Sequence, residues 1–240
     1  MKAMILTAGL GTRLHHLTRT KPKALIEING KPLLEIVVRE LIAAGVDEII
    51  INLHHFPEQI EAFLRNSHFF GIHIEFLHEE KLLDTGGGLK NAAPFFDEDE
   101  PFFLHNVDIL SDIDLKKMYV QHRDSQALAT LAVQKRVTSR FLIFDEQDNL
   151  CGWKSVAEQK TILTRRPKGR TVDLGFCGIH VISPAFFARC TETGAFSIVQ
   201  TYLRLAGEGA KIRAFRADGI RWFDLGKPEQ LKRMRDGKSS

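Results

Sequence analysis

A short span near the N-terminus holds the residue types that bind a polyphosphate. Gly9, Gly11, Thr12 and Arg13 directly follow the apolar run Lys2 to Thr7, and a Pro22-Lys23 pair comes shortly after. Glycine lets the chain turn sharply and approach a ligand closely. Successive amides in such a turn form a concavity for anions. Arg13 adds a forked donor suited to phosphate oxygens, and Lys23 adds a point charge on a segment stiffened by Pro22. A triphosphate is a natural occupant. The same Gly-x-Gly would serve equally as a plain tight turn after a strand. The run is not a Walker loop, because no Gly-Lys-Ser/Thr ends it. Nor is it GxGxxG, because Leu14 stands where the third glycine belongs, which weakens a dinucleotide reading.

Such residues need a sheet edge to stand on. Lys2 to Thr7 reads as a buried strand, and Pro32 opens an amphipathic helix that ends near Gly45. Asp47 to Leu53, Ile72 to Leu77 and Pro101 to Leu110 read as further strands. Pro57 to Asn66 and Asp114 to Asp124 read as helices, and a short one starts in Gly87 to Ala93. This alternation predicts a parallel sheet covered by helices on both faces. Right-handed crossovers then gather the strand C-terminal ends on one edge, where ligands bind in open α/β sheets. The second half predicts strands joined by turns at Ala127 to Gln134, Phe141 to Trp153 and Thr171 to Ser183, with a turn in the cluster "DEQDN". A helix near Phe196 to Gly207, a strand near Lys211 to Phe215 and the segment Arg221 to Met234 follow.

Composition bounds the rest. The chain has 240 residues, 44% hydrophobic and 26% charged, which supports a globular core and excludes disorder. A net charge of +3, with Lys and Arg spread along the chain, does not argue for a nucleic-acid partner. Cys151, Cys177 and Cys190 are odd in number and lack CxxC spacing, as expected of reduced thiols in a cytoplasmic protein. Cys177 reads as a small buried residue rather than a nucleophile. Neither a signal peptide nor a membrane span is evident. The adjacent pairs His15-His16 and His54-His55, without HExxH, do not suggest zinc.

The ordered motifs carry a resemblance. "LTAGLGTRL" with "KPKALIEINGKPLLE", then "AGVDEIIINLHH", "LLDTGGGLKNA", "FLHNVDIL", "FCGIHVISP" and "WFDLGKPEQL" resemble the sugar-1-phosphate nucleotidyltransferases over nearly the whole chain. The likeness is closest to the N-acetylmuramate-1-phosphate uridylyltransferase and mannose-1-phosphate guanylyltransferase types. It implies a Rossmann-like three-layer α/β/α fold with a mixed, mainly parallel sheet. It further implies one domain over 1–235, with a nucleotide-binding half to about 125 and a sugar-binding half beyond. Residues 236–240 would be a flexible tail, with no C-terminal β-helix domain.

By that resemblance the substrates are a nucleoside triphosphate and a sugar 1-phosphate, joined with release of pyrophosphate. Gly9, Gly11 and Thr12 would cradle the triphosphate, Arg13 would stabilise the leaving pyrophosphate, and Lys23 would bridge the α-phosphate and the incoming sugar phosphate. Asp108 and Asp224 would ligate Mg²⁺. Leu6, Ala8, Thr85, Gly86, Gly87 and Asn106 would contact the nucleotide, and Asp173 and Gly178 the sugar phosphate. "DTGGG" also reads as a loop with Asp84 or Thr85 capping a helix. The chain departs from the family pattern at Thr7, Ala24 and Val107. Two rivals share the fold: a phosphocholine cytidylyltransferase, with Trp153 and Trp222 as candidate cage residues, and a non-catalytic nucleotide-binding regulator. A homodimer is compatible with either.

Overall fold

The computed structural model describes residues 1–96 and 99–235; the expected tail 236–240 lies outside the described residues. The chain runs through β1 (Lys2–Leu6), the short pair β2 (Glu27–Ile28) and β3 (Lys31–Pro32), α1 (Leu33–Ala44), β4 (Glu48–Leu53), α2 (Pro57–Asn66), β5 (His73–His78) and α3 (Asp84–Asn91). It continues through β6 (Phe102–Asn106), β7 (Ile109–Ser111), α4 (Leu115–Ser125), β8 (Ala129–Gln134), β9 (Arg140–Asp145), β10 (Leu150–Ser155), β11 (Lys160–Leu163) and β12 (Thr171–Ile182). The last elements are α5 (Ala185–Arg189), α6 (Ile198–Gly207), β13 (Ile212–Arg216), β14 (Trp222–Asp224) and α7 (Pro228–Arg235).

Ten strands form one mixed sheet in the order β11-β10-β9-β12-β6-β1-β4-β5, with β8 paired to β12 and β13. The strands β6, β1, β4 and β5 are mutually parallel, as are β8 and β13. The antiparallel pairs involve β12 and the β9–β10–β11 meander. Strand side chains alternate between two apolar layers. Ala3, Ile5, Ile49, Ile51 and Phe103 enter one with α1, α2, α4 and α7. Met4, Ile50, Phe102 and Leu104 enter the other with α3, α5 and α6. Burial of both faces is why these strands read as unbroken apolar runs.

Helix α1 buries Leu33, Leu34, Val37, Val38 and Leu41 at helical spacing. It stops at Gly45, whose φ of 101° lets its N–H reach Ile42 and Leu41 carbonyls at little steric cost. Three features differ from the sequence expectation. "PFFLHNVDIL" is two strands, broken at Val107-Asp108. The α3 helix begins at Asp84 and takes in all three glycines. The β11 strand, a short run at the sheet edge, carries no alternation strong enough to announce it.

Three histidines, His105, His122 and His180, are each 1% exposed. His122 bonds the hydroxyls of Thr130 and Ser183, and His180 bonds that of Tyr202. Burial lowers His105 and His122 to about 4 and, with the neighbouring His105, lowers His180 to about 3. Below their ordinary 6.5 the unfolded chain takes up protons that the native state refuses. Stability therefore falls as pH drops from about 6.5 towards 4, by on the order of 3 kcal/mol for His122 alone. Urea midpoints measured from pH 7 to 4.5 should drop steeply; a flat profile would show these rings to be charged in the native state.

Candidate active site

The loop after β1 is tied down at its start. The Thr7 amide donates to Asn52 Oδ1 at 2.8 Å, and the Thr7 hydroxyl donates to the Asn52 carbonyl. Asn52 Nδ2 then donates to Glu79 Oε1 at 2.7 Å, and Glu79 Oε2 accepts from the Leu83 amide at 3.1 Å. This chain of bonds joins the C-terminal ends of β1, β4 and β5 to the start of α3. Of these bonds, the hydroxyl donation to the Asn52 carbonyl is the one that alanine at position 7 could not supply.

Beyond Thr7, Gly11 sits at φ 63°, where an added Cβ would lie 2.8 Å from Thr18 Cγ2. The Thr18 hydroxyl donates to the Gly11 carbonyl at 3.1 Å, and the Leu14 amide does so at 2.9 Å. Gly9 has open space where a side chain would be. Gly9 and Thr12 are exposed, and the Arg13 side chain is 61% exposed, free to move onto an anion.

The break between β6 and β7 builds the centre of the site. Val107 turns into the core, fully buried, and its amide donates to the Leu6 carbonyl at 3.3 Å. Asp108 is thereby turned the other way, off the end of β6 and beside the β1 loop. Strand β14 pairs antiparallel with β7, setting Asp224 opposite Ile109. The Leu225 amide also donates to the Asp108 carbonyl at 2.8 Å. Two carboxylates more than a hundred positions apart in sequence thus share one corner.

Gly226 shows how tight that corner is. A Cβ there would stand 2.4 Å from Asp108 Oδ2, 3.0 Å from Asp224 Oδ1 and 3.1 Å from Arg13 Nη2. Three cations surround the pair. Lys23 Nζ donates to Asp108 Oδ2 at 2.8 Å, Arg13 approaches Asp224 at 4.0 Å, and Lys227 approaches it at 3.9 Å. Burial, and then the neighbouring Asp108, raise the Asp224 carboxyl above its usual range, against the opposing pull of Arg13 and Lys227. Two crowded carboxylates of this kind gain from a shared cation. Asn106 Oδ1 lies nearby, buried without a hydrogen-bond partner among the described residues.

Among the expected residues, Gly11, Arg13, Lys23, Asp108 and Asp224 come together, with Asn106 next to Asp108. Gly178, at φ 75°, packs against Asn106 and Ile109, where a Cβ would lie 2.8 Å from Ile109 Cγ1. Asp173 stands apart. It lies five residues back along β12, roughly 16 Å at strand rise, and is paired to Lys154 at 2.8 Å. Leu6 is half-buried and Ala8 buried beside the loop. Gly86 and Gly87 donate their amides to the Phe196 carbonyl, and the Thr85 hydroxyl accepts from the Ile198 amide. The clearance that the two glycines provide is filled by this chain's own Phe196 ring and Gly194 carbonyl, 2.3 and 2.4 Å from the positions of added Cβ atoms.

Gly226, Lys227 and the Asn52–Glu79 pair were not singled out from the sequence. The first two follow Asp224 in "FDLGK", a signal that was legible there. Cys177 is pushed up to about 12 by burial, against the opposing Arg136, so it is a neutral thiol. His54 and His55 face different carbonyls, of Glu79 and Thr18.

The fold is an open α/β sheet of the kind that binds its ligands at the carboxyl edge of the strands. Residues 2–146 match the family model described as Nucleotidyl transferase, and the chain belongs to that family. It is 28% identical over 95% of its length to an N-acetylmuramate alpha-1-phosphate uridylyltransferase of Caulobacter vibrioides, of which it covers 92%. It is 30% identical over 96% of its length to a mannose-1-phosphate guanyltransferase of Gibberella zeae, of which it covers 62%. Its fold is that of HddC from Yersinia pseudotuberculosis, with TM-score 0.78, 22% identity and 98% of each chain covered. No described helix is long and apolar enough to cross a membrane.

Proposed function

We propose that this protein transfers a nucleotidyl group from a nucleoside triphosphate to a sugar 1-phosphate. The observation that carries the reading is the corner at Gly226, where Asp108, Asp224, Lys23 and Arg13 meet beside an open glycine loop. A sugar phosphate oxygen forms a bond to the α-phosphorus as the bond from that phosphorus to the α,β-bridging oxygen breaks, and pyrophosphate leaves. Catalysis of such a transfer rests on positioning and on neutralising charge. Lys23 is set to touch the α-phosphate and the incoming phosphate together. The exposed Arg13 is set to follow the leaving pyrophosphate.

The donor set suits Mg²⁺. It consists of two carboxylates whose mutual repulsion a cation relieves, and Mg²⁺ is commonly held by one or two carboxylates plus substrate phosphates and water. Asp108 and Asp224 would hold it. Bound there, it would supply neutralisation of phosphate charge.

A cationic choline acceptor is disfavoured, because one of the two candidate cage rings is already covered. The Arg136 guanidinium lies 4.1 Å over the Trp222 ring. The test is pyrophosphate release with Mg²⁺, crossing UTP, GTP, dTTP and CTP against several sugar 1-phosphates and phosphocholine. Release with one sugar pair is expected, with UTP or GTP as donor; silence across the panel with nucleotide still bound would favour the regulator.

A further inference from the structure

The acidic corner holds one more cation than its carboxylates need. Asp108 and Asp224 stand against Arg13, Lys23 and Lys227. Lys23 is committed to Asp108, at 2.8 Å. The other two share a single atom. Arg13 Nη1 lies 4.0 Å from Asp224 Oδ2, and Lys227 Nζ lies 3.9 Å from the same oxygen. Both separations exceed hydrogen-bond distance, so neither cation is locked onto the carboxylate. Asp224 Oδ1, by contrast, accepts from the Gly226 amide at 3.1 Å.

Lys227 is fixed at its root and free at its tip. Its amide donates to the Asp224 carbonyl at 3.1 Å, and its carbonyl accepts from the Leu231 amide at 3.0 Å. Leu231 is buried in the apolar layer that α7 shares with α1. Gln230 Oε1 accepts from the Asp224 amide at 2.7 Å, which closes the turn from the other side. The Lys227 backbone therefore keeps its place beside Asp224, while a flexible four-carbon stem carries the ammonium. The side chain is 32% exposed, and Asp224 is the one carboxylate that pairs with it among the described residues. A lysine whose task was to hold the turn would close on that carboxylate. This one stays off it, beside two acids that a divalent cation would bridge. A divalent cation at Asp224 would repel an ammonium held so near the same oxygen, and a polyphosphate would attract it.

We propose that Lys227 is a third phosphate-binding cation of this centre, resting on Asp224 in the free protein and turning to the phosphates of a bound triphosphate. The inference rests on the nucleotidyl-transfer reading above. In the free protein Lys227 competes with a divalent cation for Asp224. Once its ammonium is on a phosphate, that competition ends. Divalent cation and polyphosphate then strengthen each other's binding by the same factor, and the part of this coupling that passes through Lys227 disappears with its charge.

The test uses Mn²⁺ and inorganic pyrophosphate as probes of wild type, Lys227→Met and Lys227→Arg. Mn²⁺ binding to the free protein is followed by electron paramagnetic resonance, pyrophosphate binding at saturating Mn²⁺ by calorimetry, and kcat/KM by pyrophosphate release. Lys227→Met should bind Mn²⁺ at least threefold more tightly than wild type and pyrophosphate at least tenfold more weakly. Its kcat/KM at saturating Mg²⁺ should fall at least tenfold. Lys227→Arg restores the charge and should return pyrophosphate affinity to within threefold of wild type. A lysine that merely held the turn would change the melting temperature and neither affinity. Unchanged or weaker Mn²⁺ binding in Lys227→Met, unchanged pyrophosphate affinity, or an arginine variant as impaired as the methionine variant would therefore overturn the proposal. Turnover that the substitutions leave untouched would remove this inference and leave the transfer reading standing. Both affinity shifts without turnover on any substrate pair would leave Lys227 a phosphate-binding residue and remove the transfer reading.

Discussion

Asp108→Asn lowers kcat roughly 10²- to 10³-fold, the loss typical when one preorganised electrostatic group is removed from a reacting centre. Two effects combine. The site loses half of its anionic donor set, so the Mg²⁺ concentration needed for half-maximal rate rises. Lys23 also loses the partner that holds it at 2.8 Å, and its ammonium, 14% exposed, is left to find another position. Loss of a charge-assisted bond of this kind costs about 1.5–3 kcal/mol, so the melting temperature should fall by several degrees. The pair of readouts is diagnostic. A variant that keeps more than a tenth of wild-type kcat at saturating Mg²⁺ would show that Asp108 is not at the reacting centre.

Gly226→Ala tests the same corner with no charge altered. The backbone at Gly226 is not in the left-handed region, so alanine fits the local conformation. The added methyl would press on Asp108 Oδ2, closer than real Cβ atoms come, and would crowd Asp224 Oδ1. One of the carboxylates must give way. Misplacement of a reacting group by about 1 Å costs on the order of 10²-fold, and that loss is expected in kcat/KM. Stability should change little, because the shift falls on groups that already repel each other. Circular dichroism and melting temperature near wild type, with activity gone, is the expected combination. Activity above a third of wild type would show that the corner is looser than its geometry indicates.

Arg13 and the Pro22-Lys23 pair were legible from residue type after a glycine turn. Asp108 and Asp224 were legible only through the resemblance of "FLHNVDIL" and "WFDLGKPEQL" to the family motifs, since an isolated aspartate in such a place reads as a cap or turn residue. Their convergence was not legible. It depends on the break at Val107-Asp108 and on the β7–β14 pairing, both of which join residues far apart in sequence. "DTGGG" misled for a related reason. Glycine disfavours helix, yet α3 needs it, since Phe196 and Gly194 approach too closely for any side chain. Here tertiary packing decides what local propensity does not. Strand β11 is short and half polar, so only its partner β10 makes it a strand. The Asn52–Glu79 link was invisible because a buried carboxylate and a buried amide look like surface residues until their strands are in place.

The β9–β10–β11 meander has a consequence of its own. It hangs at one end of the sheet, and in the pairing order both β12 and β6 stand between it and β1. None of the residues gathered around Gly226 is drawn from it. Substitutions there can therefore reshape that end of the sheet without disturbing the acidic corner or the glycine loop. The architecture separates an interchangeable part from a fixed one. A lineage could vary these edge strands while the residues gathered beside β1 and β6 stayed unaltered.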